Sequence, residues 1–138
     1  MSFEDERRAI ESRFASNFTT VTADRIAWEN RRFKQPDTGT WVRFTVLNGE
    51  TRNAALSNTI LKRTIGVIAV QVFVPELTGT KTAREAADAV ATVFQNQQFS
   101  AGNSGTITCR AASIRSIGID AGWFQINVTC PYQRDQTT

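Results

Sequence analysis

Residues 73–87 read FVPELTGTKTAREAA, and their types and spacing raise the possibility of nucleotide chemistry. A β-forming run ends at Pro75, Gly79 follows, and Thr80, Lys81 and Thr82 lead into a helical pattern. In a phosphate loop of the pattern GxxxxGK[ST], successive backbone N–H groups cradle phosphates and the lysine meets the terminal ones. Here Gly79 stands alone, Thr80 separates it from Lys81, and bulky residues occupy the place of the first glycine. Such a segment lacks the backbone freedom to wrap a triphosphate. Downstream, no hydrophobic run ending in Asp on a parallel strand offers a magnesium ligand. A plainer reading covers every residue. Pro75 ends a strand, Gly79 turns the chain, Thr82 caps a helix and Glu85 completes a capping box.

Other constellations are equally thin. The chain has no histidine, and Cys109 and Cys130 do not form a CxxC, which argues against zinc sites and Cys/His nucleophile pairs. Both thiols read as small reduced residues in strands. The carboxylates scatter over caps, turns and exposed helix faces, and no pair demands general acid/base work. The expectation is therefore a protein that is not an enzyme, with no catalytic, cofactor-binding or metal residues and no cofactor. The densest basic run is Arg31, Arg32, Phe33 and Lys34. It reads either as a solvated loop or as a binding surface.

These residues need a scaffold, and 138 residues make one ordinary domain, residues 1–138. A chain of this length buries roughly 68% of its unfolded surface, so it needs no disulfide or metal to stand alone. With 41% hydrophobic and 21% charged residues it is globular in composition, and its net charge is only +3. No stretch approaches the ~20 apolar residues of a membrane span. The acidic, amphipathic N-terminus is unlike a signal peptide, which predicts an intracellular protein. The Asn-x-Thr sequences at Asn17 and Asn127 then carry no glycosylation meaning.

Helical spacing of Phe3, Ile10, Phe14 and Phe18, with Arg7 on the remaining turn, predicts a helix over residues 3–17. Ser2 and Asp5 would cap it, and Glu4, Glu6, Arg8 and Glu11 would face solvent. Ile26 and Trp28 mark a short strand, and residues 31–40 a loop. Residues 40–50 alternate as a strand, with Asn48-Gly49 as the signal of a tight hairpin before a weaker strand near Arg52–Asn58. Residues 66–75 form the strongest strand, with almost no polar face, so both its sides should be covered, one by a helix and the other by a further element, for which a partner subunit is a candidate. Ala83, Ala86, Ala87, Val90, Ala91 and Phe94 place a helix stripe ending near Gln97. Two long strands close the chain. A two-residue loop at Asp120-Ala121 would set Cys130 opposite Ala111, with the thiols neighbours but poorly placed for a disulfide. The order predicts an α+β fold, a mainly antiparallel sheet with two helices packed on one face.

The stretch from Gln71 to Phe99 also resembles the phage tail terminator-like family, proteins similar to the lambda tail terminator. The matching features are Val72, Phe73, Val74 and Pro75; Gly79 and Thr80; Ala87, Asp88, Ala89 and Val90; and Phe94 and Phe99. The opening helix, the IAWEN strand and the closing WFQINVTCPYQR strand resemble the family too, whereas Glu76-Leu77 departs from its smaller residues. The resemblance implies a structural protein forming a homo-oligomeric, hexameric ring on the end of the tail tube. Such a ring stops tube polymerisation and offers the head-joining surface. Its partners would be copies of itself, the tail tube protein and the head–tail connector protein. Genomic DNA would pass through the lumen without sequence-specific binding, and no membrane is involved. It would assemble in the host cytoplasm and reside at the head-proximal end of the virion tail. The Arg31–Lys34 loop becomes the candidate assembly interface, since loops between strands are where a ring meets its neighbours. Two other readings stay open: another neck or tail component, either a head-closing adaptor or a tube subunit, and a small nucleic-acid-binding module.

Overall fold

A computed structural model describes residues 3–55 and 60–137. Helix α1 spans Phe3–Asn17 and α2 spans Lys81–Phe94. The strands are β1 (Ile26–Ala27), β2 (Trp41–Ala55), β3 (Leu61–Pro75), β4 (Gln98–Ser100), β5 (Thr106–Cys109), β6 (Ser113–Asp120) and β7 (Trp123–Thr137). They form one seven-stranded sheet in the order β1-β2-β3-β7-β5-β4, with β6 also paired to β7. Only β1 and β2 run parallel. The α+β expectation, with two helices on one face of a mostly antiparallel sheet, is met.

Alternation along the strands decides which side the helices cover. Val42, Phe44, Ile68, Val70, Val72, Val74, Ile126 and Val128 point to one face and are buried there with Ile10, Phe14 and Phe18 of the α1 segment. Helix α2 adds Ala83, Ala86, Ala87, Val90, Val93 and Phe94, and its alanines let it lie close to the strands. The opposite face carries a smaller cluster of Ala27, Trp41 and Phe73, with Phe33 and Trp123 packed on it. The two-sided cover expected of β3 is thus met at Phe73, whereas Ile65, Val67 and Ala69 on that face are only half-buried.

Several local expectations differ from the structure. β2 runs straight through Asn48-Gly49, with a bulge between Asn48 and Thr51, and no hairpin forms there. Gly49 does not take positive φ, and a Cβ on it would lie 2.7 Å from the Ile65 carbonyl oxygen. Its glycine serves close approach in the sheet rather than a turn. The expected strand to Asn58 is the continuation of β2 as far as Ala55; its remainder, like Ser2 of the expected cap, lies outside the described residues. The β6–β7 loop is Ala121-Gly122, both at positive φ, so Asp120 pairs with Trp123. The expected Ala111–Cys130 pair does not form, because β5 ends at Cys109 and β6 begins at Ser113; Cys109 pairs with Tyr132, diagonal to Cys130 on β7, so the thiols are neighbours as expected. Both cysteines are free and buried.

The larger correction concerns Glu6. It is fully buried, because the inward stripe of α1 is Glu6, Ile10 and Phe14, continued by Phe18, while Phe3 is 52% exposed. Glu6 Oε1 accepts a bond from Arg134 Nε at 2.8 Å, and its Oε2 accepts from Tyr132 Oη at 2.7 Å and Asn48 Nδ2 at 2.8 Å. The Arg134 guanidinium also donates to the Ser104 carbonyl at 2.9 Å and to Gln136 Oε1 at 3.0 Å. This satisfied network ties α1 to β2 and β7.

Candidate assembly surface

Residues 75–80, between β3 and α2, form a compact turn. Thr78 Oγ1 donates to the Pro75 carbonyl at 2.7 Å, and Leu77 and Gly79 both take positive φ. Helix α2 begins at Lys81, so Thr82 sits inside its first turn. The N-cap is Thr80, whose side chain makes no capping bond. The capping box expected of Thr82 and Glu85 is absent. The first helical bond is instead Arg84 N–H to the Thr80 carbonyl at 2.9 Å.

The basic loop is built differently. It leaves β1 at Trp28, whose ring returns to the core against Phe44 at 5.3 Å and Phe14 at 6.0 Å. Glu29 Oε1 accepts the Val46 backbone N–H at 2.8 Å, which fixes the loop to β2. At its far end Arg25 donates to the carbonyls of Thr38 at 2.9 Å and Thr40 at 3.3 Å. Gly39, at φ +88°, lies under that guanidinium, where a Cβ would come within 2.7 Å of it. Phe33 packs on Trp41 at 5.2 Å, and Trp41 stacks on Phe73 at 4.1 Å.

Of the four residues singled out from sequence, Phe33 is therefore an anchor. Arg31, Arg32 and Lys34 are exposed around it. An open groove of about 720 Å³ lies between residues 23–28 and 31–37; Ile26, Trp28 and Phe33 line it, and no β2 residue does. A second open cleft, of about 480 Å³, has Glu4, Glu11, Glu29, Arg7 and Arg31 on its walls. The two grooves share Arg31.

The two thiols are hydrogen-bonded neighbours. The hydrogen bond to Cys130, helped by burial, pushes the Cys109 thiol well above its ordinary value. Such a thiol is a poor nucleophile.

The sequence profile described as phage tail terminator protein matches residues 7–132. The chain belongs to the phage tail terminator family. That family is structural rather than enzymatic, and its members are components of the virion tail with tail-associated assembly partners. A solved structure at 24% sequence identity superposes with a TM-score of 0.77, covering 97% of this chain and 96% of that one. At that identity it shows the shared fold. No curated protein matches the sequence. Within this tail terminator fold, the residues that carried the resemblance are mostly packing residues: Val72, Val74, Ala87, Val90 and Phe94 are buried. Gly79 and Thr80 form the turn into α2. The motif thus marks a scaffold. Sequence reading missed Glu6 and Arg134, and it left unmarked the exposed Ile114, Ile117 and Ile119 of β6. Their irregular spacing was the available signal, since it reflects the bulge near Ile117.

Proposed function

We propose that this chain, acting as one unit over residues 1–138, ends the phage tail tube. Copies of it form a ring, of six by analogy with the family resemblance, at the head-proximal end of the tube. One face of the ring binds the last tube subunits and the other receives the head–tail connector protein. Assembly takes place in the host cytoplasm, and genomic DNA later passes through the lumen without being read. The role requires no catalysis and no cofactor. The loop of Arg31, Arg32, Phe33 and Lys34 serves as an assembly interface, with Phe33 holding it and the three cations presented.

The match to the tail terminator profile over nearly the whole chain carries this reading. Two physical features support it: a sheet whose outer face is only partly covered, and charged side chains presented on a braced loop. A direct test adds the purified protein to tube protein that is polymerising. Tubes should stop lengthening in its presence, with the protein at one end only. Protein distributed along the tubes would favour a tube-subunit role. Protein that binds the head connector and ignores tubes would favour a head-closing adaptor.

A further inference from the structure

The face of the sheet opposite the helices carries charge of one sign at its centre. Register sets Arg43, Gln71, Asn127 and Arg115 in one row across β2, β3, β7 and β6. The next row is Thr45, Ala69, Thr129 and Ser113. Further along, Gln133 accepts a bond from the Arg110 guanidinium at 3.0 Å. From the Arg43 row to Gln133, no paired position on this face is a carboxylate. Asp135, just beyond, is held by Arg63 at 2.8 and 3.2 Å and by Gln133 at 3.1 Å. Glu50 falls in the β2 bulge, outside the rows. Helix α1, by contrast, mixes signs, with Arg7 and Arg8 paired to Glu4 and Glu11.

Arg43 is held in place. Its guanidinium lies over Trp41 and Phe73, 5.6 Å from each ring, and its Nη1 is 3.5 Å from Gln71 Oε1. A guanidinium stacked on rings keeps its N–H edge for an oxyanion. Arg115 is exposed at the far end of the row, and among the described residues it forms no ion pair. Three strand spacings, about 14 Å, separate the two arginines, so they meet different phosphates. Between them Gln125 donates to Asn127 Oδ1 at 2.7 Å, which leaves the Asn127 amide nitrogen as a donor.

These residue types choose among partners. Arginine, glutamine, asparagine, threonine and serine are the side chains that hold phosphate oxygens along a nucleic-acid backbone. A protein partner needs a broad apolar centre. The single row of Leu47, Val67 and Pro131 beyond the polar rows does not supply one. Single strands bind by stacking their bases on aromatic side chains. Trp41 and Phe73 offer no such platform, being 3% and 9% exposed.

Resting on the reading that DNA passes through the ring, we infer that this face takes the phosphate backbone of a nucleic-acid duplex. Arg43 and Arg115 are its charged contacts, and the amides and hydroxyls between them are its neutral ones. No base edge is read, so the contact is independent of sequence. Fluorescence anisotropy tests it, with two DNA duplexes of unrelated sequence and about 20 base pairs, at roughly 50 to 200 mM salt. Both duplexes should bind the parent alike, and affinity should fall with salt as counterions are released. Arg43→Gln with Arg115→Gln should weaken both at least about tenfold and make the slope of log affinity against log salt shallower by about two. Arg8→Gln with Arg84→Gln removes equal charge from the helices and should change affinity less than about twofold, since salt confines charge effects to near neighbours. All four side chains are exposed, so circular dichroism should show both variants folded. Equal losses from the two pairs, no saturable binding at the lowest salt, or a preference above about tenfold for one duplex would overturn the assignment. So would polyglutamate displacing labelled duplex as well as unlabelled DNA does, since the face would then suit an acidic protein. The tube-lengthening assay on the same proteins separates this contact from the terminator role. Sheet variants that lose DNA and still cap tubes are the expected result. Sheet variants that keep DNA and lose capping would assign the face to the tube protein and overturn the DNA contact. A parent that binds DNA through this face yet never caps tubes would sink the terminator role and leave the surface standing.

Discussion

Glu6 and Arg134 are the residues on which the molecule's stability turns most sharply. An ion pair with both partners nearly excluded from water gains little net over an apolar pair, yet breaking it strands a charge. Glu6→Gln should destabilise the fold by about 3–5 kcal/mol, lowering the melting midpoint by roughly 10 °C or more. Replacing both, as in Glu6→Leu with Arg134→Met, should recover much of that loss in the same thermal melt. Tyr132 gives the network a pH signature. Burial, then its bond to Glu6, pushes the phenol well above its ordinary value. The folded state therefore holds the proton more tightly than the unfolded chain. The stability this contributes is present below pH ~10 and declines as pH rises beyond it. Denaturant titrations from pH 9 to 11 should show a fall that is shallower in Tyr132→Phe. None of this was legible in the local sequence. Glu6 sits among Glu4, Asp5, Arg7 and Arg8, and its partner is 128 residues away.

At the scale of elements, close approach explains what the turn signals did not. A Cβ on Gly66 would lie 2.6 Å from Tyr132 Oη, with the ring carbons at 2.7 Å. The ring sits opposite Gly66 in the register and is held by Glu6, so it has little room to give. Gly66→Ala should cost roughly 1–3 kcal/mol, measured by chemical denaturation. Thr82→Ala should change stability by less than about 0.5 kcal/mol, since Thr82 is an exposed position inside the first turn of α2. A larger loss would reinstate the cap that the sequence pattern suggested. Both helices and the strands β2, β3 and β7 were legible because long apolar periodicities specify them. Asn48-Gly49 misled because the same dipeptide serves a turn or a close approach, and only the Ile65 carbonyl beside it decides. The short β4 and the break between β5 and β6 carry too few residues for periodicity to register. The basic loop was legible as a charge cluster, while the groove beside it depends on Arg25 bonding Thr38 and Thr40, which spacing does not reveal.

As a whole molecule, the chain pairs a braced sheet with a basic loop at one margin and an open apolar strand at the other. A tube of stacked, identical rings presents the same growing surface after every addition. Growth stops only when something different binds the end, and a ring with one tube-binding face and one foreign face does that without chemistry. Length control in the phage is therefore the most direct measurement of the central claim. Deleting the gene should leave heads and tube protein intact, and electron microscopy should show abnormally long tails not joined to heads. Supplying the protein should restore normal length. Tails of normal length in the deletion, or the absence of any tails, would contradict the terminator role.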